Sequence, residues 1–207
     1  MVSETIFQLI VLIFSVVIHE VSHGVVAERL GDPTARLAGR LTLNPLKHLD
    51  PIGSVVLPLL MLVLNSGVVF GWAKPVPYNP MNLKRPERDG AIVAAVGPLS
   101  NLFIAFLFGM VYRFIIPSLG GSATLAVFGG YLEIIVTINV LLAVFNLVPI
   151  PPLDGSKVLF ALLPSEMRGV RFLLEQYGMF LVLIFIFFGF HLITPIIWSL
   201  TKLFLGV

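Results

Sequence analysis

The chain alternates long, predominantly apolar runs with short polar breaks. Residues 6–29 predict a first helix, and Gly31-Asp32-Pro33 ends it because Gly and Pro both break helices. Residues 35–43 carry Leu37, Leu41 and Leu43 at spacings that suit a strand or hairpin. Asn44-Pro45 and Asp50-Pro51 are turn signals. Residues 52–70 are apolar but hold Gly53, Pro58, Asn65 and Gly67, and 71–88 form a polar loop with Pro75, Pro77, Pro80 and Pro86. Residues 89–116 predict a long helix with Gly97-Pro98 early in it, and 123–147 predict another. A Pro-rich break at 148–155 precedes a short amphipathic helix over 156–163. Residues 172–192 predict a further span, and Pro195 sets off an apolar tail. There is no internal repeat and no soluble domain, so 1–207 reads as a single membrane-embedded domain.

Composition turns these runs into membrane segments. Of the 207 residues, 57% are hydrophobic and 12% charged, whereas soluble domains carry about 25% charged residues. Several runs reach the ~20 apolar residues that a bilayer crossing requires. The predicted fold class is an α-helical integral membrane protein. It is a multi-span helix bundle of about four to six segments, with short β-hairpin elements at the membrane edge. The net charge of +2 is too small to point to nucleic acid and suits basic residues at membrane edges. With no cysteine, disulfides and thiolate ligands are excluded. The apolar start is not read as a cleaved signal peptide, because it lacks a basic n-region and a small-residue cleavage site.

Charge bias sets the topology. If 52–70 is re-entrant, eleven of the thirteen basic residues share one side, leaving Arg113 and Lys202. That bias favours re-entrance with the N-terminus outside. Non-helical backbone at membrane depth is tolerated where protein or a water-filled cavity satisfies it.

His19-Glu20-Val21-Ser22-His23 matches H-E-x-x-H. On a helix, positions i and i+4 share a face, so both imidazoles can address one Zn²⁺. Glu20 lies beside them and can take a proton from water whose pKa the metal lowers to about 7. Only one charge, Glu4, precedes the motif, and clustered ionisable groups in an apolar helix mark a functional site. Catalytic zinc has three protein ligands and an open position, so a third must come from elsewhere. The metzincin extension is absent, with Val26 and Arg29 at its Gly and His positions. Asp154, in the Pro-rich break before a short helix, is a candidate; it also suits a helix N-cap.

Together, His19–His23 and Asn146-Leu-Val-Pro-Ile-Pro-Pro-Leu-Asp154-Gly155 resemble the two hallmarks of the site-2 proteases, intramembrane zinc metalloproteases of peptidase family M50. Gly97-Pro98-Leu99-Ser100-Asn101 resembles a further family element, and the similarity covers most of the chain. The resemblance implies that His19, His23 and Asp154 bind zinc and that Glu20 is the general base. It also implies that Asn146 helps to position or polarise the scissile carbonyl. Asn139, seven residues earlier on nearly the same face, either looks into the same cavity or bonds a neighbouring helix. The implied substrate is a membrane protein or transmembrane peptide cleaved within or near its span. The compact form suits a prokaryotic plasma membrane. Larger family members carry PDZ or CBS domains, for which 207 residues leave no room.

Other features carry weaker expectations. Residues 71–77 resemble an edge strand that could hold substrate by β-augmentation, or an interfacial loop anchored by Trp72 and Tyr78. His48 and His191 lack partners at ligand spacing, and Glu133 has no assigned role. Two rival functions remain. One is a zincin acting on aqueous peptides with Glu166 or Glu175 as third ligand; the other is a non-enzymatic metal-binding membrane protein or inactive homologue.

Overall fold

The computed structural model describes residues 2–56, 60, 63, 73–117 and 123–207. Its main elements are helices α1 (Val2–Arg29), α2 (Thr34–Leu37), α3 (Pro86–Ile115), α4 (Ala123–Asn146), α5 (Asp154–Leu162), α6 (Arg168–Ile184) and α7 (Phe190–Leu205). Among the described residues, four helical runs are long and apolar enough to cross a bilayer: Ser3–Arg29, Pro86–Ile115, Leu125–Asn146 and Arg168–Leu205. The last is one continuous run, because a π-helical turn at Phe185–Gly189 joins α6 to α7. Pro195 therefore lies inside α7 and sets off no separate tail. Proline is tolerated within membrane helices, and beside it Thr194 Oγ1 donates to the Phe190 carbonyl one turn back.

Helix α3 is central and packs against α1, α4, α5 and α7. Its sequence explains how. Val93, Gly97, Asn101, Ala105 and Gly109 recur every fourth residue, and all are buried. Small residues at this spacing let helix backbones approach closely. At 3.6 residues per turn, a four-residue spacing drifts about 40° per step. The stripe therefore winds around α3, meeting α1 at Gly97 and α7 at Gly109. An added Cβ on Gly109 would lie 2.8 Å from the Phe204 carbonyl oxygen. Val136, Val140 and Val144 of α4 join Val182 of α6 and Ile193 and Ile197 of α7 in the apolar core beside it.

Among the described residues there is no strand, so the hairpins expected at the membrane edge are not formed. The reason is local. Asp32 accepts hydrogen bonds from the Thr34 N–H and hydroxyl, which starts the helical turn α2 straight after Pro33. Gly39, at φ +63°, then reverses the chain. Leu37 is left 81% exposed, so its spacing from Leu41 and Leu43 reflects no sheet face.

Residues 73–79 form a strap that is neither helix nor strand. Arg40 Nη2 donates to the Lys74 carbonyl (2.7 Å), and the Lys74 N–H donates to the His48 carbonyl (2.8 Å). The Asn79 N–H and the Asn82 side-chain amide donate to Asp32 at 2.6 and 2.7 Å. Burial pushes the Asp32 carboxyl up. The hydrogen bonds from Thr34, Asn82 and Asn79 outweigh it and hold the group below the usual carboxylate range. Most of 52–70, whose re-entrance was expected, lies outside the described residues. Its flanks at 40–48 and 73–76 are nevertheless hydrogen-bonded to each other.

Candidate metal centre

His19, Glu20 and His23 lie in the C-terminal half of α1, whose apolar sequence carries them among the other helices. Asp154 reaches them from the first turn of α5. The N-cap position is Leu153, which makes no side-chain cap, so Asp154 is not the cap that its sequence context allowed. Its Oδ2 lies 3.1 Å from His19 Nε2 and 3.1 Å from His23 Nε2. All three residues are buried, and their ligand atoms fall within 4.8 Å of one another. Gly155 makes this possible, because a Cβ there would sit 2.1 Å from the Leu147 carbonyl oxygen. The end of α4 and the start of α5 can close up only around a glycine.

The surroundings fix which ring nitrogens face the centre. His23 Nδ1 is 2.6 Å from the Val93 carbonyl, which can only accept, so Nδ1 carries the proton. His19 Nδ1 is 2.7 Å from Asn101 Oδ1. The Asn101 amide nitrogen donates to the Ser15 carbonyl (3.2 Å) and to Asn139 Oδ1 (3.0 Å). Asn139 in turn donates to the Ile135 carbonyl of its own helix at 2.9 Å. This relay from α4 through α3 aims the Asn101 oxygen at His19 and makes Nδ1 the donor. Neutral rings with protonated Nδ1 present Nε2 lone pairs. The two Nε2 atoms, each 3.1 Å from the Asp154 carboxylate oxygen, thus point at one place that a shared cation can occupy. Two imidazoles and a carboxylate, each oriented by outer hydrogen bonds, are the donor set of a catalytic zinc site.

Asn101 and Gly97 have roles that the sequence alone does not assign, although both stand in the Gly97–Asn101 element. Gly97 faces the centre so closely that a Cβ would lie 2.5 Å from His23 Nε2 and 2.6 Å from His19 Nε2. The signal available was the four-residue spacing that puts Val93, Gly97 and Asn101 on adjoining parts of one face.

A cavity of about 140 Å³ opens beside the three ligand atoms, with Glu20, Asn146 and Lys157 in its wall. Glu20 Oε2 accepts the Val76 N–H of the strap at 2.8 Å. Asn146 uses one amide N–H on the Leu142 carbonyl (2.9 Å) and keeps a second. Gly71 and Trp72 lie outside the described residues. In the rest of the expected clamp, Pro75 and Pro77 have no N–H to offer a partner strand. His48 is fully buried and donates to the Thr42 carbonyl, while His191 is exposed on α7. Glu175 pairs with Arg171 at 3.0 Å, and Glu166 is exposed just before α6, so neither joins the two histidines.

Comparison with known proteins agrees with this chemistry. The sequence model of peptidase family M50 matches residues 114–190, the stretch that holds Asn146 and Asp154. YwhC of Bacillus subtilis, provisionally named a zinc metalloprotease, is 39% identical over 197 residues, covering 92% of this chain and 85% of YwhC. Rip2 of Mycolicibacterium smegmatis, named in the same way, is 34% identical over 185 residues, covering 88% of this chain and 65% of Rip2. MJ0611 of Methanocaldococcus jannaschii, also so named, is 42% identical over 76 residues, covering 36% of this chain and 35% of MJ0611. No solved structure matches the chain. Similarity to YwhC along nearly the whole chain, with a converging His, His and Asp that fit zinc, shows that this protein belongs to the zinc metalloproteases of peptidase family M50.

Proposed function

We infer that the protein is a multi-pass protease of the site-2 type, cleaving peptide bonds in or near transmembrane segments of other membrane proteins in regulated intramembrane proteolysis. What supports this is the position of the centre along an apolar helix long enough to cross a bilayer. His19 lies ten residues before the end of α1 at Arg29, about 15 Å along the helix. That is roughly half of a ~30 Å hydrocarbon core. A soluble substrate would not meet a centre there; a membrane-inserted one would. The bacterial and archaeal relatives suit a prokaryotic plasma membrane.

His19, His23 and Asp154 hold the metal, with Asn101 and Val93 fixing the two rings. Zinc supplies a Lewis acid and lowers the pKa of water at the site toward about 7. Glu20, at the cavity wall, accepts the proton from the attacking water and returns it to the leaving amine. The free N–H of Asn146 points its dipole at charge growing on the scissile carbonyl. The strap and α5 close the cavity on the polar side and limit how much water enters.

The test joins metal content with cleavage. In detergent, the wild type should hold about one zinc, as a mononuclear site requires, while His19→Ala and Asp154→Ala should hold none. Wild type should cleave a model transmembrane peptide and Glu20→Gln should not. Zinc retained in Asp154→Ala would remove that residue from the centre. Cleavage by Glu20→Gln at the wild-type rate would remove the proton shuttle. A wild type that binds zinc but cleaves only water-soluble peptides would favour the aqueous zincin reading.

A further inference from the structure

A second cavity, of about 620 Å³, adjoins the catalytic one. Pro75, Tyr78, Pro152 and Lys157 line both, so the two are continuous. The wider cleft runs between the strap, the start of α3, and α5 and α6. Its floor is apolar, with Phe160 and several prolines, and its charged groups are Glu87, Lys157, Arg171 and Glu175.

Three of these charges answer one another. Arg171 pairs with Glu175 at 3.0 Å and with Glu87 at 3.7 Å. Lys157 is left over. It makes no ion pair with a described carboxylate, and its ammonium lies 5.0 Å from the centre of the Tyr78 ring. The undescribed residues contain no Asp or Glu, so none of them can supply the missing partner. Lys157 is half-buried one turn after Asp154 on α5. A cation there gains a good deal from an anion that displaces its remaining water.

We propose that Lys157 is a specificity residue that binds an acidic side chain of the substrate, in the cleft next to the scissile bond. This rests on the proteolytic reading above. A role as oxyanion donor fits less well. Such a donor must come within about 3 Å of the reacting oxygen, yet the Lys157 ammonium pairs with neither Asp154 nor Glu20 and rests over Tyr78 instead. Position also gives the selectivity a use. The cleft lies beside the starts of α3 and α6, where Lys84, Arg85, Arg88, Arg168 and Arg171 cluster in the sequence, and segments flanking membrane spans at such basic ends are themselves enriched in Lys and Arg. Lys157 repels those flanks and admits the minority that carry Asp or Glu, so it selects by exclusion as well as attraction.

The probe is a set of model transmembrane peptides with one apolar core, each carrying Glu, Gln or Lys in turn at successive positions on one flank. Binding is measured by fluorescence anisotropy in detergent to zinc-loaded Glu20→Gln protein, which keeps the cleft but not the proton shuttle. At one or two positions the Glu peptide should bind roughly tenfold tighter than the Lys peptide. Adding Lys157→Met should erase the preference, and adding Lys157→Glu should reverse it. Higher ionic strength should shrink it. No preference at any position, or a preference that survives Lys157→Met, would overturn the proposal. Cleavage by wild type is read in parallel by mass spectrometry. If the Lys157-dependent binding preference is present but wild type cleaves none of the set, the subsite stands and the proteolytic reading fails.

Discussion

Gly97→Ala adds a single methyl group where α3 passes the metal centre. Its Cβ would lie 2.5 Å from His23 Cε1 and Nε2 and 2.6 Å from His19 Nε2, while ordinary contact begins at 3.4 Å. From 2.5 to 3.4 Å, a ring would have to retreat by about 0.9 Å, and both rings are tied at Nδ1 to Asn101 and Val93. Metal–ligand distances tolerate only about 0.2 Å. Either the imidazoles leave the metal or α3 leaves α1. Overpacking of this kind costs about 1–3 kcal/mol of stability. Displaced ligands should lower zinc affinity at least as much as loss of an orienting partner does, roughly 10–100-fold. Zinc affinity is measured by competition with a chromogenic chelator, and stability by thermal melting in the same detergent. Gly90→Ala is the control, because on the same helix its Cβ would meet nothing nearer than Tyr78 at 3.9 Å. It should leave zinc binding unchanged and stabilise by about 0.4–1 kcal/mol, through a less flexible unfolded chain. Wild-type zinc affinity in Gly97→Ala would refute the close approach of α3 to the two histidines.

Two further outcomes follow from the hydrogen bonds. Asn101→Ala should lower zinc affinity roughly 10–100-fold by freeing the His19 ring, and Asn139→Ala should lower it less, since it acts one link further out; a larger loss from Asn139→Ala would break the relay. Asp32 titrates below its ordinary 3.8 when folded, so its support of the strap is complete above that value and is lost as pH falls through the lower folded value. Limited proteolysis of 73–85 should therefore accelerate in acid for wild type. Asp32→Asn should be cleaved faster already at neutral pH and show little further change, and a wild-type-like acid profile in that variant would exclude Asp32 as the anchor.

The parts of the centre legible in the sequence were those set by local periodicity. His19 and His23 share a face because four residues make about one helical turn, and no tertiary knowledge is needed to see it. Asp154 was visible only as one residue with two competing uses. What decided between them was the position of Leu153 at the cap and the glycine at 155, which brings α5 against the end of α4. Val93 and Val76 were invisible for a different reason. They act through a carbonyl and an N–H, which every residue but proline carries alike. The expected strand or hairpin at 35–43 does not form because Asp32, which apolar alternation does not register, competes with its carboxylate for the backbone of the next turn.

The stripe on α3 shows why the outer hydrogen bonds could not be read in the same way. A run of Val93, Gly97, Asn101, Ala105 and Gly109 looks like one packing face, yet its drift of about 40° per step spreads it over different neighbours. Gly97 serves the histidines, Asn101 bonds both α1 and α4, and Gly109 receives α7 at Phe204. Asn101 is therefore the only polar member because it falls where three helices meet, and there an apolar residue would leave His19 Nδ1 and Asn139 Oδ1 without partners. Unpaired buried groups of that kind each cost about 1–3 kcal/mol. The metal centre and the crossing of α1, α3 and α4 are thus one construction: a change that separates these helices should release zinc before it unfolds them.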